Sequence, residues 1–146
     1  MSKKLAAVIG VVFVLVGVLG FIPNPIVGTE GFFVTNTAHD LVHLISGLLF
    51  LGAGGIVVAL AVTKPSGVPL FMKIFGAVYL LIAVLGFAVL SGAGDTGSLL
   101  GFIEINAADN WLHVVLGLGI LGAGFIPATG GSSSQPHQEH QEQAAM

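Results

Sequence analysis

The chain has 146 residues, of which 55% are hydrophobic and only 8% are charged, and its formal net charge is −3. A soluble globular domain carries about 25% charged residues, so this chain has too few polar side chains to cover a water-facing exterior. It has no cysteine and only 4 basic residues, all lysine. This composition excludes thiolate chemistry, disulfides and a basic nucleic-acid footprint, and we expect the lipid bilayer to be the solvent.

Four apolar stretches follow one another along the chain. They are Leu5–Ile22, Ala38–Thr63, Ile74–Leu90 and Ala107–Ile126. A membrane-spanning helix needs about 20 apolar residues, within a range of about 17–25. We therefore predict an all-α fold, an integral membrane four-helix bundle within residues 1–127. Residues 128–146 are polar, and we predict that they form a disordered tail.

The lysines predict how these helices are oriented. Lys3 and Lys4 precede the first stretch, and Lys64 and Lys73 flank the connection between the second and third. Lysine accumulates on the cytoplasmic side of membrane proteins. Both termini are therefore expected in the cytoplasm, with the connections after the first and third helices on the outer side.

The second half of the chain repeats the first. The matching segments are Val8–Phe21 with Ile74–Phe87, identical at seven of fourteen positions, and Gly31–Gly54 with Gly101–Gly124, identical at eleven of twenty-four. We interpret this as a tandem duplication of a two-helix unit, about residues 5–63 and about 74–126. Because each unit has an even number of spans, both have the same orientation. Their pseudo-two-fold axis should run along the membrane normal.

Two polar runs carry a resemblance to a known family. They are Asn36-Thr37-Ala38-His39-Asp40-Leu41-Val42-His43-Leu44 with Gly47, and Asn106-Ala107-Ala108-Asp109-Asn110-Trp111-Leu112-His113 with Gly117. Both resemble the signature of an uncharacterised family of small bacterial four-helix membrane proteins, catalogued as domain of unknown function 4383. The resemblance covers about Leu5 to Ile126 and departs at Asp40, where an asparagine is expected. It implies a four-helix fold in the bacterial inner membrane and no established activity.

Several residues in these runs have an ordinary structural interpretation. Asn36 and Asn106 stand where a helix N-cap is expected, and Asp109 then falls at the third helical position, near the positive end of the helix dipole. The glycines Gly47, Gly54, Gly117 and Gly124 lie on the same face as the histidines. Small residues let a neighbouring helix come close, so we expect this stripe in the seam between the repeats.

The histidines allow two further interpretations besides an inter-helix hydrogen bond, which is the one we favour. His39 and His43 are four residues apart on one helix face, as are Asp109 and His113. Together they would make a tetrahedral site for zinc or another divalent metal. Alternatively, His43 and His113 alone would be axial ligands of a haem between the second and fourth helices.

The sequence thus predicts a non-enzymatic membrane protein. We expect a packing or interaction module, or an accessory subunit, acting as a homo-oligomer or within a larger membrane complex. The alternative is a protein that binds a divalent metal or haem through its outer-side histidines. The two differ in whether the purified protein retains a metal ion or a Soret band.

Overall fold

The computed structural model describes residues 2–56, 65–93 and 95–126, and within them the chain forms four α-helices. They are α1 (Ser2–Gly20), α2 (Thr37–Gly54), α3 (Val68–Ala93) and α4 (Ala107–Ala123). The prediction of four helices is confirmed. The predicted tail 128–146, Lys64 and residues 57–63 of the second apolar stretch lie outside the described residues.

Asparagine caps begin α2 and α4, as the sequence predicts. The side-chain oxygen of Asn36 accepts a hydrogen bond from the His39 backbone N–H at 3.1 Å, and that of Asn106 accepts from the Asp109 N–H at 2.9 Å. The end of α2 differs from the expectation. Gly55 has a φ of +80°, a left-handed conformation that commonly ends helices, so the helix stops inside the predicted stretch Ala38–Thr63.

The helix of the third stretch is longer than the predicted Ile74–Leu90. A 3₁₀ turn at Pro65–Gly67 leads into Val68, where α3 begins. Pro69 is the second residue of α3, within the first turn, where the proline nitrogen needs no hydrogen bond. Within the described residues, two helices are long and apolar enough to cross a membrane, through Lys3–Gly20 and Val68–Ser91, whereas α4 is apolar but shorter.

Two short strand pairs, which the sequence did not predict, lie in the connections before α2 and α4. They are β1 (Val27–Gly28) with β2 (Phe33–Val34), parallel, and β3 (Thr96–Leu99) with β4 (Ile103–Asn106), antiparallel. The second pair turns through Leu100 and Gly101, both with positive φ. Both β2 and β4 lead directly into the asparagine caps, so they fix where α2 and α4 begin.

The helices pack in two close pairs, α1 with α2 and α3 with α4. The four glycines of the predicted stripe lie at these contacts: Gly47 and Gly54 in α2, Gly117 in α4, and Gly124 at the C-cap of α4. A Cβ added at Gly47 would lie 2.7 Å from the Val14 backbone nitrogen, and one at Gly117 would lie 2.8 Å from Leu80 Cγ. The glycines therefore contact the partner helix of their own pair, and the prediction that they lie in the seam between the repeats is wrong. The side chains that meet across that seam are the histidines of α2 and α4.

One buried hydrophobic core draws on all four helices. Its members are Ala6, Phe13, Phe50, Ala53, Val68, Met72, Tyr79, Ile120 and Ala123. Phe13 of α1 and Tyr79 of α3 stack with ring centroids 5.3 Å apart and planes inclined by 12°. This stacked pair joins the two helix pairs and forms the inner boundary of the polar cluster described next.

Candidate metal centre

Three buried histidines meet between α2 and α4. His39, His43 and His113 are only 2%, 5% and 5% exposed. The ring centroids of His39 and His43 are 4.8 Å apart, and His113 lies 5.8 Å from the first and 6.3 Å from the second. One ring nitrogen from each histidine lies within 4.8 Å of the other two. The i, i+4 spacing in α2 supplies two imidazoles, and α4 supplies the third.

The ring of His39 is held by a backbone group from the other half of the chain. Its Nδ1 lies 2.8 Å from the carbonyl oxygen of Glu104 in β4. A carbonyl oxygen can only accept a hydrogen bond, so Nδ1 carries the proton and donates. The lone pair of the neutral ring is then on Nε2. This arrangement matches the way metal-binding histidines are commonly fixed by a second hydrogen bond to a backbone carbonyl.

The other two histidines are not satisfied by the chain. The Nδ1 atoms of His43 and His113 are buried and have no hydrogen-bond partner. Buried polar nitrogens are nearly always hydrogen-bonded, because leaving one unpaired costs about 1–3 kcal/mol. Packing alone therefore leaves these two Nδ1 atoms unsatisfied. The planes of the two rings are almost parallel, inclined by 9°.

Aromatic rings enclose the cluster on the core side. Phe13 lies 5.7 Å from the ring of His43, and Tyr79 lies 5.5 Å from the ring of His113, measured between centroids. Phe13 and Tyr79 also stack on each other, so these two rings form a continuous aromatic layer beside the imidazoles. On its other side, Phe13 contacts Phe50 of the hydrophobic core at a centroid distance of 5.7 Å.

Reciprocal hydrogen bonds tie the two halves together beside the cluster. The amide of Asn36 donates to the Phe102 carbonyl oxygen at 2.8 Å, and the amide of Asn106 donates to the Phe32 carbonyl oxygen, also at 2.8 Å. The residues of each bond are related by the offset of 70 that relates the repeats. Each asparagine thus caps its own helix and holds the loop of the other half.

Asp109 does not stand with the three imidazoles. Its Oδ2 accepts a hydrogen bond from the Asn106 backbone N–H at 3.0 Å, completing a capping box at the start of α4. The ligand atoms that lie within 4.8 Å of one another come from the histidines alone. Asp109, which the sequence predicts as a metal ligand, therefore caps α4 in this structure and is not one of the converging ligand groups.

Asp40 and its counterpart Asn110 are outside the three-histidine set and lie at equivalent places in the two helix pairs. A Cβ added at Gly20 of α1 would collide with the carboxylate of Asp40, and one at Gly86 of α3 would collide with the amide of Asn110. Both polar side chains are buried. Each depends on a glycine in the neighbouring helix for the space it occupies.

Comparison with known proteins identifies the family. A family model described as Domain of unknown function (DUF4383) matches residues 3–126. The chain belongs to this family. No curated protein and no solved structure matches it. The match covers the described helices from Lys3 onward, and the family has no established activity.

Three features of the centre were missed by sequence reasoning: Phe13, Tyr79 and the carbonyl group of Glu104. Phe13 and Tyr79 stand at equivalent positions in the matching segments Val8–Phe21 and Ile74–Phe87. An aromatic residue at the same position in both copies was the available signal. The Glu104 carbonyl left no signal, because any residue in β4 supplies the same backbone atom.

Proposed function

We propose that this protein is a multi-pass membrane protein that holds one transition-metal ion in a three-histidine site at its outer end. The observation that carries the proposal is the convergence of His39, His43 and His113, with one ring nitrogen of each within 4.8 Å of the others. We propose a binding role and not catalysis.

Exposed apolar surface supports the membrane location. Only 22% of each spanning window of α1 and α3 is buried inside the molecule. All four helices carry large apolar side chains that are more than half exposed, such as Val8, Ile45, Leu81 and Val115. In water, an apolar surface on this scale would drive aggregation. In a bilayer, it is the lipid-facing surface, part of which further copies of the chain or another subunit would cover in a complex.

The reciprocal asparagine bonds support the duplication and its pseudo-two-fold axis. Equivalent atoms of the two halves exchange equivalent bonds, as in an isologous contact. In the proposed arrangement, four spans form a bundle with both termini in the cytoplasm of a bacterium. The histidines then lie toward the outer surface, since α2 and α4 begin there.

The donor set suits a borderline or soft divalent ion. Imidazole nitrogen favours zinc, copper, nickel or iron over magnesium or calcium, which prefer oxygen. Metal–nitrogen bonds of about 2.0–2.1 Å in a tetrahedral site place ligand atoms about 3.3 Å apart. The nitrogens, at up to 4.8 Å, would need to close by about 1.5 Å at most, which small side-chain rotations can provide.

A purely structural cluster is the second candidate. It is favoured by the bond from His39 to the Glu104 carbonyl, which links the two halves without any ion. Haem fits less well than a single ion. The ring of His39 stands 4.8 Å from His43 and 5.8 Å from His113, so it fills one side of the space that a porphyrin between those two rings would need, and Phe13 and Tyr79 fill another.

Elemental analysis of the detergent-purified protein separates these candidates. After dialysis with zinc or copper and removal of free metal, we expect about one ion per chain, the capacity of a single three-histidine site. His43→Ala and His113→Ala should lose the ion while keeping the helical circular dichroism of the parent. Asp109→Asn is the matched control and should keep it, because the Asp109 carboxylate caps α4. Metal-free wild-type protein after loading would contradict the proposal, and a Soret band would favour haem.

A further inference from the structure

We propose that the Tyr79 hydroxyl completes the three-histidine centre by hydrogen-bonding a small exchangeable ligand in the metal's fourth coordination position. The ligand class is water or a small anion. This inference rests on the proposed metal site and goes beyond it, because it assigns a ligand-binding role to a residue that does not itself contact the ion.

The position of Tyr79 supports this assignment. The side chain is only 3% exposed, and its ring lies 5.5 Å from that of His113. Its hydroxyl is buried and, although the Ser46 hydroxyl lies near it, makes no hydrogen bond of good geometry. The hydroxyl of a buried tyrosine usually finds a partner. The ring that carries this hydroxyl contacts His113, whose Nδ1 is also unpaired, and the two unsatisfied groups together point to a polar species between them.

Comparison of the two repeats shows that packing does not require this hydroxyl. Phe13 holds the equivalent place in the first repeat, stacks on Tyr79 and contacts His43 at 5.7 Å, with no polar atom. The Ser46 hydroxyl, one turn after His43 in α2, lies close enough to that of Tyr79 for the two to interact. Its counterpart in the second repeat is Leu116. The two hydroxyls are therefore an addition to an otherwise apolar, repeated layer.

A metal ion bound by three histidines has a use for a hydroxyl group beside it. Three imidazoles leave one position of a tetrahedral ion open to water or another ligand. A tyrosine hydroxyl both donates and accepts hydrogen bonds. It can therefore orient a bound water molecule or donate to an anion, whereas the aromatic layer around it offers neither function. The ring of Tyr79 thus packs against Phe13, and its hydroxyl hydrogen-bonds the ligand in the fourth position.

Cobalt(II) and azide provide the test, with wild-type protein and Tyr79→Phe compared in detergent. Visible absorption of bound cobalt reports its occupancy, and the change in that spectrum on adding azide reports the fourth ligand. Both proteins should bind cobalt with equal affinity. Azide should bind Tyr79→Phe about 5- to 10-fold more weakly, the usual effect of losing one hydrogen bond. Phe50→Leu, which alters the core beside Phe13 without removing a hydroxyl, is the control and should keep wild-type azide affinity.

The outcomes separate the two proposals. If wild-type protein binds no cobalt, the metal site itself is refuted, and this inference with it. If cobalt binds and azide affinity is the same in wild type and Tyr79→Phe, the role of the hydroxyl is refuted while the metal site stands. Loss of azide binding in Phe50→Leu as well would assign the effect to packing and would also overturn the role of the hydroxyl.

Discussion

Two glycines in α4, two residues apart, should respond in opposite ways to the same substitution. A Cβ added at Gly117 would lie 2.8 Å from Leu80 Cγ and 3.0 Å from the Leu80 backbone nitrogen, whereas one added at Gly119 meets nothing within 4 Å. Carbon atoms attract best at about 3.5–4.0 Å. Gly117→Ala must therefore push α4 away from α3 by several tenths of an ångström or more. Overpacking of this kind costs about 1–3 kcal/mol.

The helix-propensity gain of alanine over glycine, about 1 kcal/mol, applies to both substitutions and cancels in their difference. We therefore expect the free energy of unfolding of Gly117→Ala to fall about 1–3 kcal/mol below that of Gly119→Ala. Unfolding in mixed micelles with increasing SDS, followed by circular dichroism, measures this difference. Equal stability of the two variants, or a more stable Gly117→Ala, would refute the close approach of α3 and α4.

Three further predictions test the caps, the tail and the orientation. Asn36→Ala and Asn106→Ala each remove an N-cap bond and a bond to the opposite loop, and each should lower the free energy of unfolding by about 2 kcal/mol in the same SDS titration. Truncation after Pro127 should leave folding and metal content unchanged, since the removed segment is polar; loss of either would show that the tail contributes to the fold. A phosphatase that is active only outside the cytoplasm, fused after Met146, should be inactive, because the orientation proposed from the lysines places both termini inside. Activity of that fusion would reverse the proposed orientation.

Structural features that depend on residues close together in the sequence could be predicted from it. Asn36 and Asn106 mark the starts of α2 and α4 because an N-cap acts on backbone groups only two or three residues away. The end of α2 could not be predicted in this way. The stretch contains Gly52, Gly54 and Gly55 close together, and only Gly55 adopts the left-handed conformation. Apolar composition continues past that point, so it does not reveal which glycine turns the chain.

The sequence predicted which histidines meet in the candidate site, but it assigned the Asp109 carboxylate to that site wrongly. The i, i+4 spacing placed His39 with His43 and, equally, Asp109 with His113. Spacing does not tell whether a carboxylate at the third helical position ligates a metal or caps its own helix. The local bond to Asn106 competes at short range, and in the structure the carboxylate makes it. The Phe13–Tyr79 stack was hidden because aromatic residues in apolar helices face lipid as readily as a core.

Asn36 and Asn106 each donate to a backbone carbonyl of the other half, and this reciprocal pairing bears on how three imidazoles can meet here. Two identical two-helix chains, paired in the same way, would present every side chain twice across their axis. Such a pair offers two or four imidazoles, never three. Once the halves are covalently one chain, position 39 and position 109 are free to differ, and one copy keeps the acid that caps its helix while the other presents a third imidazole. Linking the halves therefore provides more than stability, because it permits an asymmetric interior inside a nearly symmetric scaffold.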